Sequence, residues 1–339
     1  MSHRTKLNAR QDGAALISAM FLMALTVTII SGLLSQEQVR LRAVQNERES
    51  DQAHWIGGGA IQWARLILRE DLIQTGAVDH LNEVWAIPIP KTPLDVMVKP
   101  SGQNVEVTQP TDWIAGRIVD ANSRFNLTDL IDVNAVMGDQ GWVGATGINP
   151  EGVAIFGRIL GAAGFAPDDA LLVAQYMLQS RGPFDQTNPD PGLPLVSVGD
   201  LKKILPDSSD EGMLQLEQWV EILPRPTALN VNTVAPDLLA AVLGVDVGLS
   251  NQIVSDREQG YFTDVASMQS RIRSRVPQLP TLSDQHFNVK SDYFYVLEQM
   301  HEGRVTVYQS ALIARHLMPR TITQVLWVHS GWPAGLTVQ

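Results

Sequence analysis

Seven histidines and no cysteine in a chain of 339 residues leave few side chains able to do chemistry. The histidines are scattered without ligand spacing, and the lack of cysteine removes disulfides, zinc–thiolate sites and cysteine nucleophiles together. No H-E-x-x-H, G-x-S-x-G or Walker loop occurs, so His54 and His80 read as packing or surface residues and the chain reads as a non-enzyme. Gly138, Gly141, Gly144 and Gly147 recur every third residue in what reads as a loop. Without a preceding strand they are turn residues and not a phosphate cradle. Asp120, Asn122 and Asn126 offer oxygens in DANSRFNL, where such side chains ordinarily bond their own backbone in turns.

The totals describe a folded, acidic chain. With 45% hydrophobic and 18% charged residues it can bury one large or two ordinary cores. A formal net charge of -11 repels nucleic acid and anionic lipid on average.

The elements fall into three kinds. At the N-terminus an uncharged run, Ala14 to Leu34, follows a leader carrying Arg4, Lys6 and Arg10 against Asp12. As a helix it is roughly 31 Å long, enough to cross a bilayer's hydrocarbon core. The positive leader should stay in the cytoplasm and the rest should be exported. A signal peptide removed after the run is the alternative, but the run exceeds the usual length of about 7–15 residues and no clear A-x-A site ends it. Helical spacing continues without proline through Val39, Leu41, Val44, Ile56, Ile61, Trp63, Leu66 and Ile67, predicting one helix to about Gln74. Gly57, Gly58 and Gly59 weaken that helix by about 1 kcal/mol each relative to alanine, or let another backbone come close.

Beyond Gln74, period-2 alternation predicts strands at 94–98, 104–108 and about Ile114 to Val119. Helix candidates follow: VAIFGRILGAAGF, PDDALLVAQYMLQS, LVSVGDLKKIL, EGMLQLEQWVEIL, TVAPDLLAAVLG, LSNQIVSDREQG and FTDVASMQSRIR. Alternation returns in DYFYVLEQM, RVTVYQSALIAR and TITQVLWVHS, with His301-Glu302-Gly303 a natural hairpin connection. The order is helix, strands, helical insert, strands, and strands on either side of the insert can share one sheet packed on the first helix.

A basic leader ending in glycine, before an apolar helix whose amphipathic continuation enters a globular head, resembles the type IV pilin and pseudopilin class. The segments VDHLNEVWAIPI, DANSRFNL, PLVSVGDLKKI, ALNVNTVAPDLLAAVLG and SDYFYVLEQ are similar, in this order, to the minor pseudopilin K family of type II secretion systems. The likeness covers most of residues 13–315.

That resemblance implies an α+β fold: a pilin-like long N-terminal helix packed on an antiparallel sheet, with a large mainly helical inserted domain. It divides the chain into a leader (1–13), a transmembrane helix (14–34), pilin-like helix and first strands (35–130), the inserted domain (131–285) and C-terminal strands completing the sheet (286–339). Prepilin peptidase is expected to cut between Gly13 and Ala14, leaving Ala14 as an N-methylated first residue and Ser18 at the fifth mature position. Most of the class carry glutamate there, whereas the K family lacks it. The implied location is the bacterial inner membrane, single-pass, N-terminus cytoplasmic and bulk in the periplasm. The implied role is to initiate or cap the tip of the periplasmic pseudopilus, with minor pseudopilins I and J and the other pseudopilins, for export of folded proteins across the outer membrane. Contact with the secreted substrates is left open.

No cofactor is required by this reading. Relatives of the K family are associated with Ca²⁺ in the inserted domain, through an acidic W-L-D-A-D loop and a later G-A-E-D. This sequence departs from that pattern and reads AQYMLQSRGPFDQTNPDPG at 174–192. Asp185, Asn188 and Asp190 can still offer oxygens at loop-like spacing, although no bidentate Glu stands close behind, and an ordinary solvated loop is the alternative. Residues 228–270 also resemble helix-hairpin-helix modules, which suggests a pilin-like DNA-uptake or DNA-binding protein as the rival function. The candidate hairpin, Gly244 to Gly248, is too long between its glycines and carries Asp246 where a phosphate would lie. The nearest basic residues, Arg271, Arg273 and Arg275, lie beyond the second helix, so no nucleic-acid partner is expected.

Overall fold

The computed structural model describes residues 9–94, 112–133, 145–181, 192–205, 208–276, 282–316 and 322–336. Helix α1 runs from Ala9 to Gln74, through the three glycines and without a proline. It ends where the Thr75 amide and hydroxyl both donate to Asp71 O, at 2.8 Å each.

Five antiparallel strands form one sheet in the order β1 (Ile89–Pro93), β2 (Trp113–Asp120), β3 (Tyr293–Glu302), β4 (Val305–His316) and β5 (Ile322–Ser330). β1, with Pro90 and Pro93, lies at an edge, where a residue lacking an N–H costs the ladder least. The expected hairpin closes between Glu302 and Val305, with Gly303 at φ +56° in the left-handed conformation such a turn needs. β2 and β3 are neighbours across the long insert, so strands from both sides of it share the sheet.

Side chains alternate between the two faces of this sheet. On one face Phe294, Val296, Ala311 and Ile313 pack against Ile61, Ala64 and Leu68 of α1. Each large side chain buried this way contributes about 1.5–3 kcal/mol. On the other face Tyr293, Tyr295, Leu297 and Leu312 meet Ala121, Leu223 and Leu336.

The insert has a core of its own. Helices α2 (Pro150–Ala162), α3 (Asp169–Arg181), α4 (Asp210–Trp219), α5 (Pro236–Leu243), α6 (Val247–Gln259) and α7 (Val265–Arg273) bury Phe156, Ile159, Leu160, Val173, Met177, Leu216, Leu239, Phe262 and Met268 together. Two segments differ from their helical expectation. Val198–Lys203 is a 3₁₀ helix, closed by the Ser197–Asp200 capping box, and α4 stops at Trp219 because Val220–Glu221 pairs in parallel with Phe125–Asn126. The strands expected at 94–98 and 104–108 lie, apart from Leu94, outside the described residues, as do Gly138, Gly141 and Gly144. The α+β class with a long helix on an antiparallel sheet is as expected.

Candidate anchoring and assembly site

Residues 14–48 of α1 are all exposed, with nothing packed on them among the described residues: Phe21 is 69% and Met23 72% accessible. Ala14–Gln74 is long and apolar enough to cross a membrane. In lipid every polar group must be satisfied within the chain. Four hydroxyls of this segment meet that demand by bonding the preceding turn: Ser18 Oγ donates to Ala14 O at 2.8 Å, Thr26 to Leu22 O at 2.7 Å, Thr28 to Ala24 O at 2.8 Å and Ser35 to Ser31 O at 2.9 Å. Ser18 therefore needs no neighbouring chain. Gly13–Ala14, the expected scission bond, lies within the helical span.

The second half of α1 has two working faces. Ala53, Ile61, Ala64, Leu68 and Leu72 are buried on the head. Trp55, Leu66 and Ile73, roughly three and then two turns apart, form an apolar stripe on the opposite side. A helix with apolar residues on both sides can pack on its own head and on a second partner.

Where α1 ends, a buried polar joint ties the sheet to the insert. Arg315 on β4 donates through Nη1 to Asp71 Oδ2 (3.0 Å) and through Nη2 to Asp79 Oδ1, while its guanidinium lies 4.5 Å above the Phe294 ring. Asp79 Oδ2 accepts from the Ser291 amide at 2.7 Å. Asp120, at the end of β2, accepts on Oδ2 from Thr233 Oγ1 (2.5 Å), Ser291 Oγ (2.7 Å) and Asn230 Nδ2 (3.1 Å). Burial pushes the Asp120 carboxyl above its ordinary range, and burial opposed by Arg315 pushes Asp79 up to about 7.

Asp120 and Asn126 do form the expected turns, accepting from the amides of Asn122 and Thr128. They and Asn122 also reach distant backbone: Asn122 bonds Ala228 O and the amides of Asp292 and Tyr293, and Asn126 bonds Arg225 O and the Leu223 amide. Arg124 adds a second clamp, bonding Glu217 O and Gly335 O at 3.1 Å each, beside Glu221 at 3.6 Å. These contacts fasten parts of the head to one another. They are structural in kind, with each acid or amide spent on fixed donors or acceptors.

A further buried acid lies under α1. Glu298 on β3 is 2% exposed, both its carboxylate oxygens and Gln309 Oε1 have no hydrogen-bond partner, and burial pushes its carboxyl up to about 8. Gly57 sits against these atoms. Of the glycine trio, Gly57 is the position where another element comes close, while Gly58 and Gly59 face open space.

Asp185, Asn188 and Asp190 lie outside the described residues, so the loop reading of calcium stays an expectation. His54 bonds Ser50 O through Nδ1 at 2.7 Å, and His80 stacks on Tyr261 at 4.1 Å. In the helix-hairpin-helix-like segment, α5 and α6 meet at 120° and the Asp246 carboxylate accepts the Leu249 amide at 3.0 Å. The amides a phosphate would use at that helix start face a carboxylate instead. Sequence reasoning missed Arg315, Asp79 and Glu298. Their one signal is a charged residue placed within an otherwise apolar strand, for Arg315 and Glu298.

No family model matches the chain. Type II secretion system protein K of Pseudomonas aeruginosa is 25% identical over 315 residues, covering 86% of this chain and 85% of that protein. Among solved structures, a chain of the GspK-GspI-GspJ complex from the enterotoxigenic Escherichia coli type 2 secretion system superposes with a TM-score of 0.60 at 18% identity, covering 85% of this chain and 99% of that one. The structural likeness shows the fold. With the likeness in sequence, it makes this chain similar over most of its length to type II secretion system protein K, as the ordered segments of its sequence imply.

Proposed function

We propose that this chain is a minor pseudopilin of a type II secretion system, held in the inner membrane by α1 with its head in the periplasm, and that it works by assembly and not by catalysis. The observation that carries this reading is the likeness to type II secretion system protein K across 86% of the chain. The form of α1 supports it. One helix is apolar and uncovered over its first half and shared between the head and an outward stripe over its second.

In this reading prepilin peptidase cuts Gly13–Ala14, Ala14 is N-methylated, and the retained helix leaves the bilayer to pack among the helices of other pseudopilins. Small residues such as Ala15, Ser18, Ala19, Ala24 and Gly32 suit close helix packing. The solved complex carrying the matching fold contains GspI and GspJ, which supports minor pseudopilins I and J as partners of this head at the tip, for export of folded proteins. Ser18, bonded within its own helix, is compatible with a subunit that has no neighbour above it.

The test is assembly and processing. The chain mixed with minor pseudopilins I and J should elute as a 1:1:1 complex on sizing, and consistently separate peaks would count against the tip role. N-terminal sequencing of the membrane-bound protein should begin at a methylated Ala14. An intact Met1, or a start near Ser35, would sink the pseudopilin reading.

A further inference from the structure

At the joint below α1 four carboxylates meet one guanidinium. Asp71, Asp79, Glu83 and Asp120 are 8%, 0%, 5% and 2% exposed, and Arg315 is 2% exposed between Asp71 and Asp79. Wherever more than one of these acids is ionised, the single positive charge leaves an excess of buried negative charge, which is costly unless something else balances it.

The oxygens differ in how they are used. Both oxygens of Asp120 are taken by fixed donors, whereas each oxygen of Asp79 takes one donor, Arg315 on Oδ1 and the Ser291 amide on Oδ2, and keeps a lone pair for a cation. Asp71 Oδ2 takes Arg315, whereas its Oδ1 has only the Thr75 hydroxyl at 3.4 Å. Glu83 Oε2 accepts from Trp85 Nε1 at 2.7 Å and from the His80 amide at 2.9 Å. Glu83 Oε1 is buried with no hydrogen-bond partner among the described residues. One oxygen each of Asp71, Asp79 and Glu83 lies within 4.8 Å of the others. Oxygens sharing one Ca²⁺ at about 2.3–2.6 Å stand at most about 5 Å apart, so this spacing is compatible with a shared ion.

We propose that a Ca²⁺ ion completes this joint, held by Asp71, Asp79 and Glu83 beside Arg315. The donors are all carboxylate oxygens, which select a hard cation over zinc or copper. Their irregular disposition suits Ca²⁺, which accepts flexible geometry, better than Mg²⁺, which demands a near-ideal octahedron. The ion gives Glu83 Oε1 its missing partner and, with Arg315, offsets three of the four negative charges the joint can carry. It ties the end of α1 to the segment leading into β1 and, through Asp79 and Ser291, to Asp120 and the insert. The site uses none of Asp185, Asn188 and Asp190.

The test uses the full chain in detergent. Ca²⁺ added after EGTA treatment should raise its thermal midpoint at neutral pH. Glu83→Gln should abolish that rise, and the pair Asp185→Asn with Asp190→Asn should keep it. Because Trp85 touches Glu83, Tb³⁺ in the site should show tryptophan-sensitised emission that Ca²⁺ displaces and Trp85→Phe removes. That readout decides the matter should Glu83→Gln fail to fold. A midpoint indifferent to Ca²⁺, or one that rises only as the pH is lowered, would overturn the proposal, a shared proton then balancing the joint. A full rise retained in Glu83→Gln, or Tb³⁺ emission unchanged in Trp85→Phe, would overturn it as well.

Discussion

Gly57 of α1 lies directly over Glu298 of β3: a Cβ placed on Gly57 would come within 2.8 Å of Glu298 Oε2 and 2.5 Å of Gln309 Oε1. The long helix approaches the sheet this closely because that one position has no side chain. Gly58 and Gly59 have nothing within 4 Å, so the three adjacent glycines answer to different forces.

Gly57→Ala should therefore destabilise the head by about 1–3 kcal/mol, the usual cost of forcing an extra methyl into a packed interface. Gly58→Ala and Gly59→Ala should stabilise it by up to about 1 kcal/mol, since alanine is the better helix former and meets nothing there. Denaturant midpoints of the three variants should fall on opposite sides of the parent. A common direction for all three would contradict the packing described.

The buried Glu298 also sets a pH dependence. Its carboxyl is pushed from 4.5 up to about 8 by burial, so the folded protein binds a proton that the unfolded chain releases. Stability from this group should fall as pH rises from about 4.5 to about 8, and the full penalty of a few kcal/mol applies above that. Glu298→Gln removes the titration, and its unfolding midpoint should exceed the parent's most at alkaline pH. Parallel pH profiles for the two proteins would show that Glu298 is not the group responsible.

Arg315→Ala should be far more damaging than an average surface change. It leaves Asp71 and Asp79 without their guanidinium in a site 8% and 0% exposed, and removing one partner from such a buried pair costs about 3–5 kcal/mol. Arg315→Lys should recover only part of this, because one ammonium cannot reproduce the planar fork that bonds Asp71, Asp79 and Ser291 O together. Thermal unfolding of both variants checks the order, and an Arg315→Ala midpoint equal to the parent's would refute the joint's importance.

Ser18→Glu tests the anchor separately from assembly. A carboxylate in a spanning helix costs about 2.5–3.5 kcal/mol on insertion scales, which the rest of the uncharged Ala14–Leu34 run can offset. The variant should remain in the membrane fraction after an alkaline wash. Release into the soluble fraction would contradict the single-helix anchor.

Local patterns were legible wherever one short stretch carries its own reason. The apolar run and its 3.6-residue continuation specify α1, and alternation specifies β3, β4 and β5 with their Gly303 turn, because those periodicities follow from backbone geometry alone. Val198–Lys203 is helical as expected but tightens to 3₁₀ form behind its capping box, whereas Val220–Glu221 leaves the expected helix because its pairing with Phe125–Asn126 outweighs local propensity.

The sequence by itself thus determined the fold class and the long apolar N-terminal helix, together with the order of segments that marks the likeness to protein K. Only the tertiary structure decided which acids matter. Asp120 meets Thr233 and Ser291, and Arg315 meets Asp71 and Asp79, across more than a hundred residues of chain. No spacing records such pairs, because burial and the partner's position are properties of the packed chain, and it is burial that makes a carboxylate such as Glu298, without a partner among the described residues, costly.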